Sequence, residues 1–415
     1  MSAGAPTWKI AAVWLARVIT GATFAVSGWA KAVDPRGFVY KIEDYLNVWG
    51  IDDIIPGSIV LIGAVALSLF ELTTGILLLT GCLRRTSAVC GLAMMAFMLP
   101  LTLYIAVANP VADCGCFGDL FVISNTATFL KNLGLTALLI VCLLWHKAAT
   151  PLFRPGFQWL VVILTCIYGL TIATIGWQYQ PVVDFRPYGV GHALVGESEE
   201  GDYTFIYSKD GEEREFSLDS LPDSTWTFVE RHSTGGVDDV FSVFDGDYEL
   251  TAELFDPSQQ GDMLILAVAE PGIDNLMRTR LANELYGYAS EHDIQMIGIV
   301  ALSGDDLDRW IEMAMPDYDV YSSSDTSLKQ LVRGPMGLVL LHDGHVAWKR
   351  NFATVNPDFL EEDDPLGSIF VVDDGRVAAG LSIFYAVGMM LLLAISALTK
   401  INLRPKRKKK PSEVL

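Results

Sequence analysis

Asp113-Cys114-Gly115-Cys116-Phe117-Gly118-Asp119 is a short polar stretch between two long apolar runs of the chain. Its two cysteines are one residue apart, and they follow an apolar segment long enough to cross a bilayer. A thiol pair in this position can form a structural disulfide, supply half of a metal site, or act as a redox pair. The surrounding sequence helps to choose among these three roles.

Apolar runs of about 20 residues match the thickness of a bilayer's hydrocarbon core. The chain has 415 residues, 51% of them hydrophobic, and six such runs. The predicted membrane spans are residues 8–32, 58–80, 87–108, 125–146, 158–177 and 377–399. The first run is too long for a secretory signal and contains Arg17, so we expect it to be a retained helix.

The distribution of Lys and Arg predicts the orientation of these spans. Six basic residues follow the last span, between Arg404 and Lys410, and they place the C-terminus in the cytoplasm. An even number of spans then puts the N-terminus on the same side. We therefore predict a multi-pass protein of the bacterial inner membrane, with the cysteine loop and the region between the last two spans in the periplasm.

Most of the acidic residues lie between the fifth and sixth spans, and the net charge is -20. The basic surface that nucleic-acid binding needs is absent, so we expect no nucleic-acid partner. The expected partners are the lipid bilayer and a periplasmic thiol protein or client protein.

Two ionisable residues, Arg17 and Glu71, lie near the middle of the first and second spans. A charge in hydrocarbon is costly unless it is paired inside the bundle, so these two side chains are predicted to be able to pair. Such a pair can fix the helix register, move protons, or seat a quinone-like ligand.

The loop after the first span contains Lys31, Asp34 and Tyr45 within an amphipathic, aromatic-rich pattern. This pattern predicts a short interfacial helix close to the cysteine loop. It can serve as a lid or docking surface, or simply connect two spans at the membrane surface.

The region between the last two spans has two patterns. Residues 203–230 alternate between apolar and polar, with a hairpin signal at Lys209-Asp210-Gly211, and predict a small β-rich segment. From residue 261 onward, strands at 263–269 and 295–302 alternate with helices at 275–292, 305–315 and 327–332. A hairpin at 337–349 completes a predicted α/β layer structure.

Residues 8–147 resemble the DoxX/MauE family of membrane proteins. The matching residues are Arg17, Ser27, Gly28, Lys31, Asp34, Pro35, Tyr45, Glu71, Gly75, Gly81 and the stretch from Cys114 to Gly118. The resemblance implies a four-helix bundle. Its MauE branch is associated with methylamine utilisation, where it acts with a thioredoxin-like partner in maturing a disulfide-rich dehydrogenase subunit in the periplasm. This chain has further helices and a large appended domain.

Residues 262–352 resemble a thioredoxin fold. Gly334 and Pro335 match the loop where that fold keeps a cis-proline, and Lys349 closes the hairpin strand. The redox cysteines of that fold are missing, because no cysteine follows Cys166. Such a domain cannot exchange disulfides itself, so the resemblance implies peptide docking at Gly334 and Pro335, or packing against the bundle.

The predicted fold class is membrane α-helical, with a DoxX-like four-helix bundle, two further transmembrane helices, an α/β thioredoxin-like domain and a β-rich segment. The predicted domains are the four-helix domain at 1–150, a fifth helix at 151–180, the β-rich segment at 181–258, the thioredoxin-like domain at 259–370, and the last helix with its basic tail at 371–415.

The chemistry of Cys114 and Cys116 leaves three alternatives open. A disulfide across this spacing is strained and easily reduced, which favours a redox pair, whereas Asp113 and Asp119 are expected to raise the thiol pKa values. A static disulfide is the second alternative. A metal is the third, although no histidine lies in the loop, and we expect no metal site.

Two functions compete. The first is a membrane component of a periplasmic thiol–disulfide redox or protein-maturation system, with Cys114 and Cys116 as catalytic residues. The second is a membrane-anchored scaffold with a structural disulfide, and a transporter is a weaker third. Whether the chain is itself a thiol–disulfide oxidoreductase stays open. No cofactor is predicted, and a quinone is an open alternative as electron acceptor.

Overall fold

The computed structural model describes residues 6–111, 114–121, 123–195, 203–209, 212–217, 220, 227–233, 241–246, 248–255, 261–272, 277–355 and 374–402. The chain divides into two compact units. The first, which we call the membrane unit, comprises Met1–Val183 and Asp373–Leu415, and the second, the sheet unit, comprises Asp184–Val372.

The membrane unit is helical, and its long helices coincide with the predicted apolar runs. Its helices are α1 Thr7–Val33, α2 Pro35–Trp49, α3 Gly57–Thr80, α4 Arg84–Ala108, α5 Asn125–Leu144, α6 Pro155–Gln178 and α11 Asp374–Asn402. All except α2 contain a stretch long and apolar enough to cross a membrane. Many of their large apolar side chains are exposed, as expected of surfaces that face lipid. The prediction of a helical membrane protein is therefore confirmed.

Helices α1 and α3 pack with their backbones in contact because glycines lie between them. A Cβ atom on Gly28 would be 2.3 Å from the backbone nitrogen of Leu72, and one on Gly75 would be 2.3 Å from that of Ala25. Small residues allow this approach between helices in lipid, where dispersion contacts provide much of the association energy. The glycines thereby set the register of the two helices.

Helix α2 is the short helix predicted after the first span. The Asp34 carboxylate accepts a hydrogen bond from the Gly37 backbone N–H at 2.9 Å, and Pro35 occupies the first turn. The helix packs through Phe38 and Leu46 against Val60 and Ala64, near the start of α3. Asp34 is therefore the N-cap residue of α2.

The sheet unit contains two sheets. Its strands are β1 Tyr203–Lys209, β2 Glu212–Ser217, β3 Thr227–Ser233, β4 Val243–Asp245, β5 Tyr248–Glu249, β6 Asp262–Val268, β7 Gln295–Val300, β8 Asp319–Ser323, β9 Met336–His342 and β10 His345–Asn351. The first three form an antiparallel sheet in the order β2-β1-β3, while the predicted turn at Asp210 and Gly211 lies outside the described residues. The other seven follow the order β10-β9-β6-β7-β8-β4-β5.

The seven-stranded sheet is covered on both faces by described elements. The described helices of the sheet unit are α7 Thr251–Leu254, α8 Thr279–Glu291, α9 Gly304–Ala314 and α10 Asp325–Leu331. One core includes α8 and α9, and the other includes α10, Phe241 and Phe255. Strands β6, β7 and β8 are parallel, as expected where helices cover both faces of a sheet.

The predicted order of elements in the sheet unit is wrong at one point. Two consecutive helices are expected from the sequence after the second buried strand, but β8 lies between α9 and α10 and pairs with β7. Its sequence, Asp319 to Ser323, has no apolar run, so it gives no strong strand signal. Pairing with the edge of an existing sheet stabilises it instead.

The contact between α1 and α3 makes a testable prediction about stability. We expect Gly75→Ala to lower the unfolding temperature of the purified chain, because the new methyl group meets the backbone of α1. Overpacking of this kind costs about 1–3 kcal/mol. Gly63→Ala, in the same helix, is the control, since no atom lies within 4 Å of its added Cβ. Equal unfolding temperatures for the two variants would contradict the backbone contact.

Candidate functional site

The loop between α4 and α5 lies at one end of the membrane unit, which we call the cysteine end. Asn125 joins the two sides of the loop, because its Nδ2 donates to Asn109 Oδ1 at 2.8 Å and to the Val111 carbonyl at 3.0 Å. Gly115 has a φ of 63°, and a Cβ there would lie 3.2 Å from the side chain of Lys41 in α2. Glycine thus allows both the left-handed backbone and the close cover by α2.

A chain of polar contacts connects the interior of the bundle to this loop. Glu71 in α3 and Lys31 in α1 form an ion pair, with 2.6 Å between Oε2 and Nζ. Lys31 Nζ also donates to Ser27 Oγ at 2.9 Å, and Ser27 Oγ donates to the Cys116 carbonyl at 2.5 Å. All four residues are buried. The ion pair therefore positions the backbone of the cysteine loop.

The two cysteines are free thiols, and they interact directly. The pKa of Cys114 is lowered to about 6, chiefly because the Cys116 side chain hydrogen-bonds its sulfur. Burial opposes this, whereas the Cys116 backbone N–H, at 3.3 Å from Cys114 Sγ, the Thr128 hydroxyl and the charge of Lys131 all favour the thiolate. Cys114 is thus mainly a thiolate at neutral pH.

Cys116 has the opposite properties. Its side chain is buried, and its pKa is raised well above the ordinary value because it hydrogen-bonds Cys114, is desolvated, and lies beside the Cys114 charge. The expected rise in both thiol pKa values from Asp113 and Asp119 is wrong for Cys114. Its described surroundings provide hydrogen-bond donors and a cation, while Asp113 lies outside the described residues.

Beside the cysteines is a cavity of about 390 Å³ in the membrane unit. Most of its lining is apolar, from α1, α2, α3, α4 and α5. The lining includes five residues singled out by the sequence analysis, namely Lys31, Tyr45, Glu71, Cys114 and Cys116. A largely apolar cavity with a few polar groups at one place is typical of a small-molecule site.

The predicted pairing of Arg17 with Glu71 is wrong, because Glu71 pairs with Lys31. The register of α1 and α3 places Arg17 about eleven residues, or roughly 16 Å, from the part of α1 that faces Glu71. Arg17 lies beside Gly81 instead, and its Nη2 donates to the His146 carbonyl at 3.4 Å. Within the described part of the chain, its buried Nη1 has no hydrogen-bond partner.

Gly334 and Pro335 belong to the sheet unit, just before β9. The Pro335 carbonyl accepts a hydrogen bond from the Glu270 backbone N–H at 3.2 Å, next to the end of β6. No peptide bond in the described residues is cis, so the cis bond implied for Pro335 is wrong. Pro335 is partly exposed, whereas Gly334 is buried.

Three residues of α5 contribute to the site and were missed in the sequence analysis. Thr128 contacts Cys114, Lys131 lies over the ring of Phe117 at 4.4 Å, and Asn132 lines the cavity. The signal was available, because Lys131 is a single cation inside an apolar run and Thr128 is one helical turn before it.

Comparison with known families matches two parts of the chain. Residues 9–146 match the family model described as Methylamine utilisation protein MauE, which confirms the predicted resemblance to MauE over roughly a third of the chain. Residues 201–234, which include β1 to β3, match a domain of unknown function (DUF8463). Comparison with curated proteins and with solved structures finds no match. Together with the apolar helices, this match indicates a membrane protein whose first third is similar to MauE.

The lowered pKa of Cys114 predicts its reactivity. Only the thiolate is alkylated, so reaction with iodoacetamide is expected to be near its maximum at pH 7.5 and to slow as the pH falls through about 6. Lys131→Met removes a cation that favours the thiolate, so the midpoint should rise by roughly one pH unit or less. The rate at Cys114 is followed by peptide mass spectrometry.

Lys9→Met serves as the control, because Lys9 lies in the first turn of α1. The midpoint of the Cys114 alkylation curve in this variant should match that of the unmodified chain. A midpoint for Cys114 near the ordinary thiol value of about 8.5 would contradict the described hydrogen bonding around its sulfur.

The Lys31–Glu71 pair predicts a non-additive pattern of stability. Lys31→Met and Glu71→Met each leave a buried unpaired charge, which typically costs about 3–5 kcal/mol. The double variant removes both charges and should recover most of that loss. Thermal unfolding of the purified variants measures the effect. Arg280→Met is the control, because the Arg280–Glu284 pair is exposed and should contribute little. Additive losses in the double variant would refute the coupling.

Proposed function

We propose that this protein is the membrane component of a thiol–disulfide redox or protein-maturation system, in which Cys114 and Cys116 exchange with a partner protein. The observation that carries the proposal is that the two sulfurs differ in exposure and in thiol pKa. Cys114 is a partly exposed thiolate, and Cys116 is a buried thiol in hydrogen-bond contact with it. A reactive sulfur with a resolving sulfur beside it is the minimum that disulfide exchange needs.

The lowered pKa of Cys114 favours one direction of exchange. A thiolate stabilised in the reduced form makes the corresponding disulfide a stronger oxidant. In the proposed reaction, a partner thiolate attacks Cys114 Sγ of the Cys114–Cys116 disulfide, and Cys116 leaves. The second partner thiol then attacks the partner sulfur of the mixed disulfide, and Cys114 leaves as the thiolate. The partner gains a disulfide, and the chain keeps two reduced sulfurs.

The sheet unit is proposed to dock the client. The parallel pair β6–β7 with the antiparallel hairpin β9–β10 beside β6 is compatible with the thioredoxin-like fold inferred from the sequence. Pro335 lies at the end of β6 and is partly exposed, which supports peptide docking at Gly334 and Pro335. We place this unit and the cysteine end in the periplasm of the inner membrane, with both termini cytoplasmic, from the distribution of basic residues.

Glutathione disulfide provides a defined test. After reaction of the reduced chain, we expect Cys116→Ser to retain one glutathione on Cys114, because no resolving sulfur remains. The unmodified chain should instead form the Cys114–Cys116 disulfide. Cys114→Ser should react far more slowly, since Cys116 is buried and its thiol pKa is raised. Intact mass and peptide mapping measure each product.

Cys90→Ser is the matched control, because Cys90 lies in α4 and contributes nothing to the cavity, and it should behave like the unmodified chain. If Cys116→Ser acquires no glutathione on Cys114, the exchange proposal fails. A membrane-anchored scaffold would then be the better account.

A further inference from the structure

The lining of the cavity beside the cysteines includes apolar side chains that are also exposed on the surface of the membrane unit. Leu67 of α3, Phe97 of α4 and Trp49 of α2 line it and are also substantially exposed. Leu67 and Phe97 lie within helices that can cross a membrane, so what surrounds them is hydrocarbon. A ligand that enters between these side chains comes from the bilayer and must itself be lipophilic.

The two lysines that line the cavity, Lys31 and Lys131, lie close enough to the sulfurs for their charges to act on Cys116. Among the described residues, Lys31 Nζ donates to Ser27 and Glu71, which leaves its third N–H for a ligand. Lys131 and Asn132 line the same cavity. The two lysines are N–H donors, and the Asn132 amide has N–H donors beside its carbonyl oxygen. They suit a head group with acceptor oxygens, while the surrounding Met and Phe side chains suit an apolar ring and tail.

The position of the sulfurs restricts the ligand further. Cys114 and Cys116 both line the cavity, so a bound molecule meets the reacting atoms themselves. Within the described residues, the remaining cysteines, Cys82, Cys90, Cys142 and Cys166, do not line it. Electrons released at the pair therefore have no second thiol pair to enter at this cavity. A lipophilic molecule that accepts two electrons and carries carbonyl oxygens meets all of these conditions.

We propose that this cavity binds a quinone from the bilayer, and that the quinone oxidises the Cys114–Cys116 pair. This inference rests on the proposed function and names its electron acceptor. In the step, an S–S bond forms between the two sulfurs and the S–H bond of Cys116 breaks. Two electrons pass from the sulfurs to the quinone. The quinone takes up the proton from Cys116 and a second proton from water, and leaves as the hydroquinone.

A decyl-substituted benzoquinone is the probe. The full chain is reduced with dithiothreitol, freed of reductant and held in lipid nanodiscs without oxygen. It should then reduce one equivalent of quinone and form the Cys114–Cys116 disulfide. Quinone absorbance and alkylation of the remaining thiols measure the two products. Cys114→Ser should reduce none. Quinone binding is measured by quenching of Trp49 fluorescence, because Trp49 lines the cavity. The Trp49 contribution is the difference in fluorescence between the unmodified chain and Trp49→Phe.

Leu101→Trp fills the cavity from α4, and should slow quinone reduction by about ten-fold or more. Leu103→Trp is the matched control on the same helix, where the side chain is exposed and does not line the cavity, and its rate should stay within about two-fold. Met98→Trp, which also fills the cavity, replaces Leu101→Trp if the latter does not fold. Equal rates of quinone reduction in the cavity-filling and control variants would refute quinone binding in this cavity.

Glutathione exchange distinguishes the two proposals. If the chain exchanges with glutathione disulfide through Cys114 but reduces no quinone, the quinone inference fails and the proposed function stands. If the chain performs neither reaction, the proposed function fails and the inference fails with it. If only a phospholipid occupies the cavity and quinone does not displace it, the inference is likewise overturned.

Discussion

The Lys31–Glu71 ion pair is the contact on which the membrane unit depends. In a bilayer each of these charges alone is costly to bury, so the pair holds α1 and α3 at one register. The glycine contacts agree with that register, since backbone approach at Gly28 and Gly75 brings the two side chains level. Ser27 extends the constraint to the Cys116 carbonyl, so a pairing inside the bundle also orients a loop at its end.

This arrangement explains why two cysteines one residue apart have different chemistry. The Cys116 carbonyl accepts a hydrogen bond from Ser27, and the Cys116 side chain is buried. Cys114 instead accepts a hydrogen bond from the Cys116 backbone N–H, contacts the Thr128 hydroxyl, and is close enough to Lys131 for that charge to favour its thiolate. The loop needs a left-handed residue between them, which Gly115 supplies under the cover of α2. The asymmetry arises from the packing of three helices around one short loop.

Much of the architecture could be predicted from apolar length alone. Six helices lie where the sequence places them, because a hydrocarbon slab demands long uninterrupted apolar stretches. Strand β8 was missed because its stability comes from pairing with β7 and not from its own apolar pattern. The candidate site was predicted in part. Cys114, Cys116, Lys31, Glu71 and Tyr45 do line one cavity, but the partner of Glu71 and the contribution of α5 were not foreseen.

The sequence by itself determined that the chain crosses a membrane, that its two loop cysteines stand apart from the others, and that its MauE-like part ends near residue 146. These properties follow from composition, length and local spacing. Only the tertiary structure decided which charge pairs with Glu71, which sulfur is the thiolate, and that an apolar cavity opens beside both. Those properties depend on helix register and on distances between residues far apart in the chain, and local patterns carry no information about either.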